Sequence, residues 1–273
     1  MAPTGAWRRQ TLVGDCLLLH HLLHGHKIAG VEVTTYSSPP IIEAVIEVRF
    51  GEPAKDTRLL KASDWLKPRY SNVSIEEQIE ANVDFPTRHA EFVSGGRRYR
   101  HSSDDLADAV VLSHTGVAWT RLAPYEGWDQ FLSRASQELK SVLKALASPR
   151  LTRIGLRFIN RIDVPSDIDG LAHYEEYINY RIEAGPLMEP SMGYQWLIRS
   201  HHSNHNLIAI LQSATVPPEI PGTSAFTLDI DIASVENVPQ SSDTVSEKLG
   251  HMRELKNDIF EAGITEKARE LYR

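Results

Sequence analysis

Leu151-Thr152-Arg153-Ile154-Gly155-Leu156-Arg157-Phe158-Ile159-Asn160-Arg161-Ile162-Asp163, near the middle of the chain, alternates in character. Ile154, Leu156, Phe158 and Ile162 fall on one side of an extended backbone, and Arg153, Arg157 and Arg161 fall on the other. That is the period of a β-strand with one apolar face. At roughly 3.3 Å per residue the three arginines make a row about 26 Å long.

Outward from this strand the same period recurs. In residues 41–50, Ile42, Ala44, Ile46 and Val48 alternate with Glu43, Val45, Glu47 and Arg49, after Pro39-Pro40 and before Gly51-Glu52-Pro53. Residues 57–67 read as a helix stopped by Pro68. Residues 72–122 read as a run of short strands with hairpin turns at Gly95-Gly96 and Thr115-Gly116. In 128–146, Trp128, Phe131, Leu132, Ala135, Leu139, Val142, Leu143 and Leu146 lie on one helical face. Beyond the central strand come a loop over 165–170, a short helical piece over 172–180, and strands over 194–200, 207–212 and 225–232. A final amphipathic helix covers 244–262, with Gly263 at its C′ position and Thr265 as the next N-cap.

Both parts of the chain, about 38–148 and 149–273, run strand, helical segment, antiparallel strands, long helix. The expected fold class is therefore α+β: two similar halves, each an antiparallel sheet backed by a long amphipathic helix, in one domain whose strands form two sheets or a single one. Halves of this kind occur in TATA-binding-protein-like and helix-grip folds, a likeness of architecture that carries no function.

The composition is that of an ordinary globular protein: 273 residues, 41% hydrophobic, 24% charged, net charge −7. A general nucleic-acid binder would need a surplus of Lys and Arg, so that class is set aside. One cysteine, Cys16, excludes a disulfide framework and a Cys-based zinc site within a monomer. No apolar run reaches the roughly 20 residues of a membrane helix. Asp15, His20 and His21 interrupt the apolar residues that follow Arg8-Arg9, so no signal peptide is read and a cytoplasmic protein is expected. Residues 1–37 carry His20, His21, His24 and His26 and do not match the rest. Their reading is a disordered extension, or upstream sequence translated from an early start.

Pro39-Pro40-Ile41-Ile42-Glu43-Ala44-Val45-Ile46-Glu47-Val48-Arg49-Phe50 resembles the opening of a sporadically distributed prokaryotic family with no assigned activity. The resemblance returns at Tyr125-Glu126-Gly127-Trp128-Asp129-Gln130-Phe131, at residues 153–162, at Leu228-Asp229-Ile230-Asp231 and in the C-terminal helix. It spans about 38–273. It implies a domain beginning just before Pro39 and brings no catalytic residue or cofactor with it.

The arginine row, with Arg49, is the candidate anion- or partner-binding group, because guanidinium forks match phosphate and carboxylate geometry. The competing reading is internal pairing with Glu43 and Glu47, which share the i, i+4 spacing on a strand expected to lie alongside. Asn160, on the apolar face, is expected to anchor a neighbouring loop. Asp229 and Asp231 share a strand face. They could hold Mg²⁺ in an enzyme acting on a phosphorylated or nucleic-acid substrate, or serve solubility and edge protection. His201, His202 and His205, beside Ser200 and Ser203, lie in a turn where metal ligands would diverge. Phosphate loops, dinucleotide fingerprints and nucleophile elbows are missing from the sequence. The expected role is non-enzymatic: binding or regulation through the sheet face or the groove between the halves, with no cofactor and a protein or small anionic partner. An enzyme, or a subunit that works only within a complex, are the alternatives.

Overall fold

The computed structural model describes residues 36–84, 89–167, 173–180 and 193–273; for 78–84 and 89–95 it describes the backbone alone. Among the described residues nine strands make one antiparallel sheet: β1 (Ile41–Phe50), β2 (Asn72–Asp84), β3 (His89–Ser102), β4 (Asp108–Ser113), β5 (Gly116–Leu122), β6 (Leu151–Pro165), β7 (Gln195–His202), β8 (Leu207–Val216) and β9 (Thr223–Ser234). Their spatial order is β2-β3-β4-β5-β1-β6-β9-β8-β7. The helices are α1 (Asp56–Leu66), α2 (Trp128–Ala145), α3 (Ser242–Gly263) and the short α4 (Glu266–Glu270). Of the two arrangements expected for the strands, the chain forms the single sheet.

Alternation explains the layering. Ala44, Ile46 and Val48 of β1, Leu156 and Phe158 of β6, and Leu228, Ile230 and Ile232 of β9 are all buried on one face. Against them α1 sets Leu59 and Leu66, α2 sets Phe131, Leu139 and Val142, and α3 sets Leu249, Met252 and Phe260. Each such side chain contributes roughly 1.5–3 kcal/mol on burial, so this covered face fixes the register of the sheet. The other face has no helix among the described residues and is half-exposed. Ser241 caps α3 by accepting from the Thr244 amide at 3.3 Å, and Thr265 caps α4 by accepting from the Ala268 amide.

Several expectations are corrected. β2 and β3 are long, 13 and 14 residues, and the Gly95-Gly96 pair lies within β3 at a register shift, not at a turn. Gly96 has φ +97°, so the glycines serve a bulge. The second hairpin turn is present but one residue earlier than read: His114-Thr115 joins β4 to β5, and Gly116 already pairs with Ser113. Gly263 ends α3 as its last helical residue, and glycine is required there because the Tyr180 ring approaches too closely for a Cβ. The piece read as helix over 172–180 is a single 3₁₀ turn, Tyr174–Glu176, and part of that stretch and of the 165–170 loop lies outside the described residues. Residues 1–35, with the four N-terminal histidines, also lie outside them. Tyr36 and Ser37 already belong to the fold: the Tyr36 hydroxyl donates to Glu261, and its ring packs edge-on against Phe260 and Tyr272. No helix among the described residues is long and apolar enough to cross a membrane.

Candidate functional site

The open face of β1, β6, β9 and β8 gathers most of the residues singled out in the sequence. Val45 lies opposite Arg157, Arg157 opposite Asp231, and Asp231 opposite Ile210, so one row crosses four strands. Arg49 stands directly opposite Arg153, a like-charge pair that would be unfavourable if both side chains stood upright. Arg153 instead folds over Gly155, where any Cβ would collide with its guanidinium. It donates to Glu47 and to both Asp231 oxygens, at 3.1 and 3.0 Å. Arg49 shares Glu47, its Nε 3.0 Å from the carboxylate.

Arg157 grips Asp229 with a two-point fork, Nε at 2.8 Å and Nη2 at 2.5 Å. Arg161 does the same to Asp163, two residues along its own strand, at 2.9 and 3.0 Å, and also reaches Glu219 at 3.2 Å. The bonds to Asp229 and to Asp163 raise the pKa of Arg157 and Arg161, so both cations are locked. Burial raises the Asp231 pKa, against the pull of Arg153 and Arg157.

Two readings change. The counter-ions of the row come mainly from β9 and β6, not from β1: Glu47 does pair with Arg153, while Glu43 lies opposite Ile159 and Leu122 and forms no ion pair among the described residues. Asp229 and Asp231 are not edge protection, because β9 lies between β6 and β8. Both oxygens of each are committed to an arginine, and among the described residues no group of three His, Cys, Asp or Glu could hold a metal. Asn160 is buried as expected but donates to the Leu228 carbonyl at 2.9 Å, bonding the adjacent strand instead of a loop. The histidines part company: His201 bonds Asn206, His202 bonds Ser200, and His205 stacks on His251 of α3 at 3.9 Å.

The sequence reading missed the polar groups beneath the helices. Glu138 of α2 accepts from the Tyr70 hydroxyl at 3.0 Å and from Trp119 Nε1 at 2.9 Å, and burial raises its pKa. His101 Nε2 meets the Ser63 hydroxyl at 3.0 Å in full burial, which pushes its pKa down to about 4. Lys256 of α3 lies 4.4 Å over the Phe158 ring, and burial pushes its pKa down to about 8. A signal existed. Glu138 is i+7 from Phe131 and four before Val142, and Lys256 is midway between Met252 and Phe260, so both sit on the apolar stripes of their helices.

Cavity sizes help to decide what the molecule can bind. The cleft on the open face, lined by Arg157, Ile210, Gln212, Asp229 and Asp231, holds about 120 Å³, below the roughly 300 Å³ of a small-molecule site. A hollow of about 580 Å³ beside Glu52, Lys55, Arg58 and Arg150 has the volume, but those side chains are all exposed and nothing desolvated anchors a ligand. No protein-family model and no curated protein matches the chain.

Proposed function

We propose that the protein is a non-enzymatic binding protein that engages a partner protein on the open face of its sheet, along β1, β6, β9 and β8. The observation that carries this reading is the composition of that face. Mutually fixed ion pairs are interleaved with the half-buried aliphatics Val45, Ile159, Ile208 and Ile210, around a cleft too small for an independent ligand. Four arginines (49, 153, 157, 161) stand among five carboxylates (Glu43, Glu47, Asp163, Asp229, Asp231), so the strip does not attract a polyanion. A preorganised lattice of charges gives orientation and selectivity to a protein interface more than raw affinity.

The same reading takes the chain as two related halves, each followed by its long helix. The strand order supports it: β2-β3-β4-β5-β1 meets β6-β9-β8-β7, so the first strand of each half lies at the centre. It also takes the chain as a member of the prokaryotic family it resembles. The shared motifs fall on β1, the start of α2, β6, β9 and α3, the elements that build the centre of the sheet and its cover.

A photo-crosslinking residue placed at Gln212, compared with one at the exposed Gln137 of α2, tests the binding face in the source cells. A discrete adduct at Gln212 alone, lost when Arg157→Glu is added, is the expected result. Equal adducts at both positions, or none at Gln212, would rule the reading out.

A further inference from the structure

The sheet ends in two free edges among the described strands, β2 and β7, and they differ in sign. β2 carries Glu76, Glu77, Glu80 and Asp84 and no basic residue; β7 carries Arg199, His201 and His202 and no acidic one. Both edges expose aliphatic side chains, Val73 at 41% and Ile75 at 62% on β2, Leu197 at 58% and Ile198 at 49% on β7. Beyond Tyr99, β2 and β3 continue together with no third strand among the described residues, since β4 pairs only with Tyr99–Ser102. A two-stranded ribbon of that kind is marginal in water by itself.

We infer that β2 of one molecule pairs with β7 of a second copy, extending the sheet head to tail. Direction and face both permit it. Eight successive antiparallel pairings leave β2 and β7 running the same way, so the next copy presents β7 as a parallel neighbour of β2. The register places Val73 and Ile75 on the covered side, through their partners His101 and Tyr99, and places Trp196 and Ile198 on the same side, through Ser213 and Leu211. Glu76 and Arg199 both fall on the open side. A single alignment therefore sets Val73 beside Trp196, Ile75 beside Ile198 and Glu76 beside Arg199.

Charge on an edge strand ordinarily guards against pairing. Here it forbids only the symmetric pairings, since β2 against β2 is acid on acid and β7 against β7 is base on base. Glu77 is partly engaged by Arg97 at 4.0 Å, while Glu76 and Arg199 have no ion pair among the described residues. A head-to-tail contact closes into a ring or runs on as a filament.

Sedimentation of the full chain over a range of concentration and salt tests this. Species larger than a dimer are expected, growing with concentration and shrinking with salt. Glu76→Lys and Arg199→Glu should each weaken assembly about tenfold. Mixing the two variants should restore it, because each then supplies the edge the other lacks; that recovery also shows that both remain folded. A monomer at every concentration, a dimer that never grows, or an assembly indifferent to both reversals and to mixing overturns the proposal.

Discussion

The two faces of the sheet handle charge in opposite ways. On the open face, Arg153, Arg157 and Arg161 each meet a carboxylate, with water still in reach: the Arg157 side chain keeps 47% of its exposure even inside its fork with Asp229. On the covered face Arg121 and Arg134 share Asp108 at the edge of α2. The two charges deeper under the helices, Glu138 and Lys256, are nearly dry and have no ion pair among the described residues. Glu138 is held by two neutral donors and Lys256 by an aromatic ring. Solvent and counter-ion share the work on one side, so the loss of a partner there is cushioned. For Glu138 and Lys256, beneath the helices, burial keeps solvent from replacing a missing partner.

Three experiments would break or sharpen that contrast. The largest effect belongs to Glu138→Leu, which leaves the Tyr70 hydroxyl and the Trp119 indole N–H buried without an acceptor. At about 1–3 kcal/mol for each orphaned donor, a loss of about 4 kcal/mol is expected in urea unfolding, while Glu138→Gln, which keeps an acceptor, should lose far less. Lys256→Met should move the other way. The folded lysine titrates at about 8 and the unfolded one near 10.5, so the unfolded chain holds more protons between those values and stability rises with pH across that window. Methionine fills a similar volume without a charge. A gain of about 2 kcal/mol near neutral pH is expected, with the alkaline rise abolished, and a flat or lowered melting temperature would contradict it. The smallest effect is on the open face. A double-mutant cycle over Arg157→Ala and Asp229→Ala should return a coupling of about 1 kcal/mol or less, shrinking in high salt, because the arginine is half exposed. A coupling as large as the Glu138 loss would erase the distinction between the faces.

Much of the fold was legible. β1, β6, α2 and α3 follow from local period alone, since the spacing that buries one face needs no knowledge of what covers it. The length of β2 and β3 was not, because Gly95-Gly96 reads as a turn when the partner strand is unknown and as a bulge once β2 is laid beside it. The candidate site divides in the same way. The sequence singled out Arg153, Arg157, Arg161, Glu47, Asp229 and Asp231 and left pairing and binding as competing roles. It assigned the two aspartates to solubility or metal because nothing local says that β9 lies against β6.

What the sequence determined by itself, then, is which residues share a face, because side-chain direction is set by backbone period over a few residues. Which charges meet was decided by the tertiary structure. The Arg157–Asp229 pair spans 72 residues and the Glu138–Tyr70 bond spans 68. Contacts of that range depend on the strand order and on how the helices close over the sheet, where the burial of many apolar side chains outweighs the preference of any one ion pair.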